Sequence, residues 1–171
     1  MNIVLTGFMA TGKSSVGQRL AQRLGWAFFD TDEMIEHQTG LSIADLFAKG
    51  GEAAFRELEA QTVGLVALMD KTVIATGGGV PLRESNMDEL ERNGRVFLLT
   101  ASPETIVRRL DLTADLRPLL KGPSPLERAR ELLRERETVY ARCHEKIATD
   151  ALTEDQVVDR IVERFQADPR P

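Results

Sequence analysis

The stretch Gly7-Phe8-Met9-Ala10-Thr11-Gly12-Lys13-Ser14 constrains this chain more than any other. It matches the pattern G-x-x-x-x-G-K-[ST] without a gap. Ile3-Val4-Leu5 supplies a strand before it, and Val16 to Leu24 supplies a helix after it. Glycines let the backbone curl until successive N–H groups converge on phosphate oxygens. The positive end of the following helix adds to the attraction. Ala10, Thr11, Gly12, Lys13, Ser14 and Ser15 are therefore expected to line a nucleoside triphosphate site. Lys13 should reach the β- and γ-phosphates, Ser14 should ligate Mg²⁺, and Ser15 should meet the α-phosphate. The motif alone does not choose a chemistry, because GTPases and motor ATPases share it.

The rest of the chain alternates short apolar runs with long amphipathic segments. This predicts an α/β fold with a mostly parallel sheet. Strand candidates are Ile3 to Thr6, Ala27 to Phe29, Thr72 to Thr76, Val96 to Thr100 and Lys146 to Thr149. Helix starts are marked by Ser102-Pro103, by Ser124-Pro125 with Glu127, and by Thr153 with Gln156. Between Leu110 and Ser124 the periodicity breaks, and the segment reads as a loop. Loops of that length inside a domain are uncommon and often functional.

Length and composition fit one globular domain: 171 residues, 42% hydrophobic and 29% charged. A net charge of −5 gives a nucleic-acid partner no help from bulk electrostatics. The single cysteine, Cys143, excludes an intrachain disulfide. No apolar run is long enough to span a bilayer and no export signal opens the chain, so a soluble cytoplasmic protein is expected.

Three further features narrow the chemistry. Asp30-Thr31-Asp32 places two carboxylates just past the second strand, where ligands bind in parallel sheets. One could hold a metal-bound water and the other could accept a proton from an attacking hydroxyl. Capping of the next helix explains them equally well. Thr76-Gly77-Gly78-Gly79 follows an apolar strand, and three successive glycines suit close approach of a ligand to the backbone. Arg117, in the long loop, could close over a transferring phosphoryl group, or simply be solvated.

Together with Phe55-Arg56-Glu57-Leu58-Glu59, Arg117-Pro118-Leu119-Leu120 and Arg136 near Tyr140, these motifs resemble the shikimate kinase family from about residue 2 to about residue 165. The resemblance implies a three-layer fold like that of P-loop nucleoside monophosphate kinases. Its parallel sheet would be five-stranded, with helices on both faces and a mobile lid. It implies one kinase domain over 1–171, with a shikimate-binding helical region about 31–61 and a lid about 111–123. The implied reaction is Mg²⁺-dependent transfer of the ATP γ-phosphoryl group to the 3-hydroxyl of shikimate, on the route to aromatic amino acids, by a monomer.

The resemblance also implies residue roles. Lys13, Asp32 and Arg117 would be catalytic, with Asp32 on the shikimate hydroxyls. Ser14 would bind Mg²⁺ directly and Asp30 through water. Arg56 and Arg136 would bind the substrate carboxylate, with Gly77, Gly78 and Gly79 supplying backbone contacts. Arg109 would stack on adenine, and Glu59 would support Arg56. Ala10 stands where the family commonly has glycine, and Leu152 and Glu154 depart from its adenine-side loop. Another small-molecule P-loop kinase, acting on gluconate or a nucleotide, and a non-catalytic nucleotide binder are the alternatives. Trp26 reads as packing, and His37 and His144 as structural, since neither has a partner at metal-ligand spacing.

Overall fold

A computed structural model of the chain describes residues 1–113 and 124–167. Its strands are β1 (Asn2–Thr6), β2 (Ala27–Asp30), β3 (Thr72–Ala75), β4 (Gly94–Thr100) and β5 (Glu145–Ala148). They form one five-stranded sheet in the order β2-β3-β1-β4-β5, parallel at every pairing. The helices are α1 (Lys13–Leu24), α2 (Thr31–Thr39), α3 (Ile43–Ala67), α4 (Glu84–Arg92), α5 (Pro103–Thr113), α6 (Pro125–Glu135), α7 (Glu137–Tyr140) and α8 (Glu154–Ala167).

Helices cover both faces, and the strand side chains divide between them with the period of two that a pleated strand requires. Ile3 and Leu5 of β1 join Val73, Phe97 and Leu99 beneath α1 and α8. Val4 points the other way, with Ile74 and Val96, toward Val63 and Val66 of α3 and Met87 and Leu90 of α4. A third cluster joins Phe8 and Met9 to Ile106, Leu132 and Tyr140 at the end of the sheet that carries the phosphate loop.

The expected strands recur with small shifts. The largest is in β4, which begins at Gly94, ahead of the apolar run. Arg95 hides inside it, 5% exposed, paired with Glu145 at 3.2 Å and lying over the Phe97 ring. A charged residue ends an apolar pattern in sequence but not a strand, once a partner carboxylate meets it. Helix α5 runs past Leu110 to Thr113, because each added residue brings one more backbone hydrogen bond. The rest of the expected loop, 114–123, lies outside the described residues, as does Arg117.

The expected helix caps differ in the bonds they make. Thr153 and Gln156 form a reciprocal box at 2.9 and 3.3 Å. Ser102 accepts from the Thr105 N–H at 3.2 Å, and Asp150 accepts from the Ser102 hydroxyl at 2.6 Å. Ser124 holds the cap position before Pro125 but makes no side-chain cap bond. Trp26 packs edge-on against Phe165 at 5.8 Å, as expected for a core aromatic. No helix among the described residues is long and apolar enough to cross a membrane.

Helix α1 approaches the sheet through Gly17. A methyl group there would press into the Phe28 ring. Gly17→Ala should therefore cost about 1–3 kcal/mol in chemical denaturation. Much of that loss should return in Gly17→Ala/Phe28→Leu, because the two sites share one contact.

Candidate active site

Parallel register delivers three loops to one edge of the sheet. Leu5 pairs with Ala75, and Ala75 pairs with Asp30. The segments after β1, β2 and β3 therefore leave at the same level. These are the phosphate loop, the Asp30–Asp32 turn and the glycine triplet. Thr76 locks the central pair, donating to the Leu5 carbonyl through its N–H at 3.0 Å and through its hydroxyl at 3.3 Å.

The phosphate loop curls through positive φ at Gly7 (139°), Ala10 (57°) and Gly12 (97°). At Gly7 a side chain would also collide with the Leu99 carbonyl. Ala10 accepts a left-handed conformation at a cost of roughly 1–2 kcal/mol, which explains why glycine suits this slot. Two features hold the turn. The Thr11 hydroxyl donates to the Phe8 carbonyl at 2.8 Å, and Arg109 donates to the Ala10 carbonyl at 3.0 Å. Lys13 Nζ donates to the Phe8 carbonyl at 2.8 Å, drawing its ammonium back onto the loop. The Ser15 hydroxyl donates to the Gly12 carbonyl at 3.3 Å.

Asp30 serves two ends at once. One carboxylate oxygen caps α2, accepting from the N–H of Asp32 at 3.0 Å and of Glu33 at 3.5 Å. The other accepts from the Ser14 hydroxyl at 2.5 Å. Capping and site placement, set against each other in the sequence, are the same geometry. Oxygen donors of this kind at the N-terminus of α1 suit Mg²⁺, which is held by one or two protein oxygens plus phosphates and water. Among the described residues there is no cluster of three or more His, Cys, Asp or Glu side chains that could hold a metal.

The glycine triplet is shaped by its neighbours. A side chain on Gly77 would strike the Asp32 carboxylate, and one on Gly79 would strike the Arg56 guanidinium. Asp32 and Arg56 thus flank one short stretch of bare backbone. The Gly77 N–H is already spent, donating to the Thr31 hydroxyl at 2.8 Å. The Gly78 carbonyl accepts from the Tyr140 hydroxyl at 2.6 Å and from Arg136 at 3.4 Å. Thr31 and Tyr140 were not assigned roles from sequence. Hydroxyls that bond backbone leave no spacing signal.

Arg56 is clamped. Nη1 donates to both Glu59 oxygens at 3.0 and 2.9 Å, while Nε and Nη2 donate to Glu52 at 3.3 and 3.1 Å. Burial works against the guanidinium charge, but Glu59 and Glu52 outweigh it and raise the Arg56 pKa. Glu59 is 1% exposed, and burial lifts its carboxyl above the ordinary glutamate value against the pull of Arg56. Arg136 is buried and lies over the Phe8 ring at 5.6 Å. Its neighbours on α6 turn outward, with Arg130 meeting Glu104 at 2.6 Å and Arg128 meeting Glu131. Spacing could not single out Arg136, whereas packing does.

On the far side of the phosphate loop, Arg109 also donates to the Thr149 hydroxyl and carbonyl, each at 3.0 Å. The two departures nearby have ordinary structural uses. Leu152 packs on the core, and Glu154 accepts from Arg19 at 2.6 Å. His144 Nδ1 accepts from the Val96 N–H at 2.9 Å, a structural use.

Known proteins are similar to this chain in sequence and fold. The family model described as shikimate kinase matches residues 9–166. A shikimate kinase of Thermodesulfovibrio yellowstonii is 44% identical over 96% of this chain and 95% of its own length. One of Symbiobacterium thermophilum is 46% identical over 97% of each. The solved shikimate kinase of Acinetobacter baumannii in complex with shikimate superposes with a TM-score of 0.93 at 32% identity, covering 99% of this chain and 95% of that one. With phosphate loop, paired carboxylates and glycine triplet on one sheet edge, and with these relatives matched end to end, the chain belongs to the shikimate kinase family and is a kinase.

Proposed function

We propose that this kinase transfers the γ-phosphoryl group of ATP to the 3-hydroxyl of shikimate at the edge formed by β1, β2 and β3. The observation that carries the reading is the placement of Asp32 and Arg56 against Gly77 and Gly79, beside the phosphate loop. A carboxylate for hydroxyls and a guanidinium for a carboxylate suit a small hydroxylated acid.

ATP phosphates would lie in the curl of Ala10, Thr11, Gly12, Lys13, Ser14 and Ser15. Lys13 exchanges the Phe8 carbonyl for the β- and γ-phosphates. Ser14 would hold Mg²⁺ directly and Asp30 through water; the ion would neutralise charge on the β- and γ-oxygens. Arg109 keeps the loop in place and offers its guanidinium face to adenine. By the family resemblance, Arg117 would act on the transferring phosphoryl group.

Arg56 and Arg136 take the shikimate carboxylate. Gly78 and Gly79 offer backbone contacts, whereas Gly77 serves by lacking a side chain, its N–H being held by Thr31. Asp32 orients the acceptor hydroxyl and receives its proton as the oxygen attacks phosphorus. All the assigned groups belong to one chain, so a monomer suffices, and dependence on ATP suits the cytoplasm.

A coupled assay with ATP, Mg²⁺ and a panel of acceptors tests this. Turnover of shikimate is expected; folded protein that instead phosphorylated gluconate or a nucleoside monophosphate would defeat the reading. Asp32→Asn should keep nucleotide affinity and lower kcat about 10²- to 10⁴-fold.

Glu59 adds a pH signature. Its carboxyl is raised, so acidification protonates it before an exposed glutamate and frees Arg56 from its anchor. The KM for shikimate should climb as pH falls through that raised value. In Glu59→Gln the KM should be high and flat across the same window; a pH profile matching the parent's would remove Glu59 from this role.

A further inference from the structure

Tyr140 stands where the two halves of the site meet. Its hydroxyl donates to the Gly78 carbonyl at 2.6 Å. A methyl group on Gly78 would lie 3.6 Å from the Gly7 carbonyl oxygen, 3.7 Å from the Met9 nitrogen and 3.8 Å from the Tyr140 hydroxyl. The phenol therefore sits at the seam between phosphate loop and glycine triplet. Arg136, one helical turn earlier, shares the Gly78 carbonyl at 3.4 Å. The Tyr140 N–H donates to the Arg136 carbonyl at 3.0 Å, which sets the two side chains on one face. The ring is 6% exposed and packs with Phe8, Met9 and Leu132. Burial raises the phenol pKa despite Arg136, so the hydroxyl stays a neutral donor.

We propose that Tyr140 is a positioning residue for the acceptor: its hydroxyl fixes the Gly78 carbonyl and, through it, the place of Arg136. This rests on the reading of Arg136 as a carboxylate ligand. Without the hydroxyl, the Gly78 carbonyl retains only the longer Arg136 bond. Arg136 would then satisfy this half-buried carbonyl at the expense of the substrate, since a carbonyl left short of a donor is costly.

The test is Tyr140→Phe in steady-state kinetics, beside Arg136→Ala and the parent. The KM for shikimate should rise about five- to tenfold, the worth of one hydrogen bond. The KM for ATP should stay within about twofold, since no phosphate-loop bond is cut. Equal loss on both substrates, or an unchanged shikimate KM in folded Tyr140→Phe, overturns the proposal. An unchanged shikimate KM in Arg136→Ala overturns the underlying site instead.

A second measurement needs no substitution. Tyr140 is the chain's single tyrosine, so uniform 3-fluorotyrosine gives one fluorine resonance. Shikimate should shift it in saturable fashion without nucleotide present. A resonance unmoved by saturating shikimate, in protein that turns shikimate over, contradicts the proposal.

Discussion

Strand β1 has no solvent-facing side. Ile3, Val4 and Leu5 are fully buried, with β3 on one edge, β4 on the other and helices on both faces. A strand so enclosed is apolar through its centre, with buried polar Asn2 and Thr6 at its two ends, and it is paired on both sides, because a backbone group lost from the ladder would be buried without a partner. The phosphate loop leaves from this strand, the glycine triplet from its neighbour β3 and the Asp30–Asp32 turn from β2 beyond it, while Arg56 and Arg136 come from the helical segments. Because all pairings are parallel, the strand ends that carry chemistry fall on one edge, and no long excursion is needed to bring them together.

That edge concentrates charge, and the protein manages it by pairing. Arg56 is clamped by Glu52 and Glu59, and Asp30 is held by Ser14 and the start of α2. A buried carboxylate such as Glu59 is tolerable only with a cation against it, since removing one partner strands the other in low dielectric. The pair therefore holds the Arg56 guanidinium in one geometry. Small groups serve the same end. Gly77 and Gly79 make room for Asp32 and Arg56, and the hydroxyls of Thr31 and Tyr140 tie down the backbone between them.

Much of this was legible without coordinates. The phosphate loop with its flanking strand and helix, the apolar strands, the Thr153 cap and the glycine triplet all announce themselves by local pattern. Local pattern misled where a charge sat inside a strand, as Arg95 does, and where a helix outran its apolar periodicity, as α5 does. It was silent on which arginine among those of α6 and Arg136 just beyond it turns inward, because outward and inward guanidinium groups look alike in sequence.

The sequence by itself determined the fold class, the nucleotide cradle and, by resemblance, the family. These depend on short-range rules: glycine where φ is positive, alternation of apolar residues, a hydroxyl or carboxylate before a helix. Tertiary structure alone decided that Gly77 contributes space and not a donor, that Asp30 caps a helix and faces Ser14 together, and that Tyr140 bridges to Gly78 across 62 positions. Those outcomes turn on which groups meet across long separations, since a buried polar atom is costly without a partner. No residue spacing encodes that constraint.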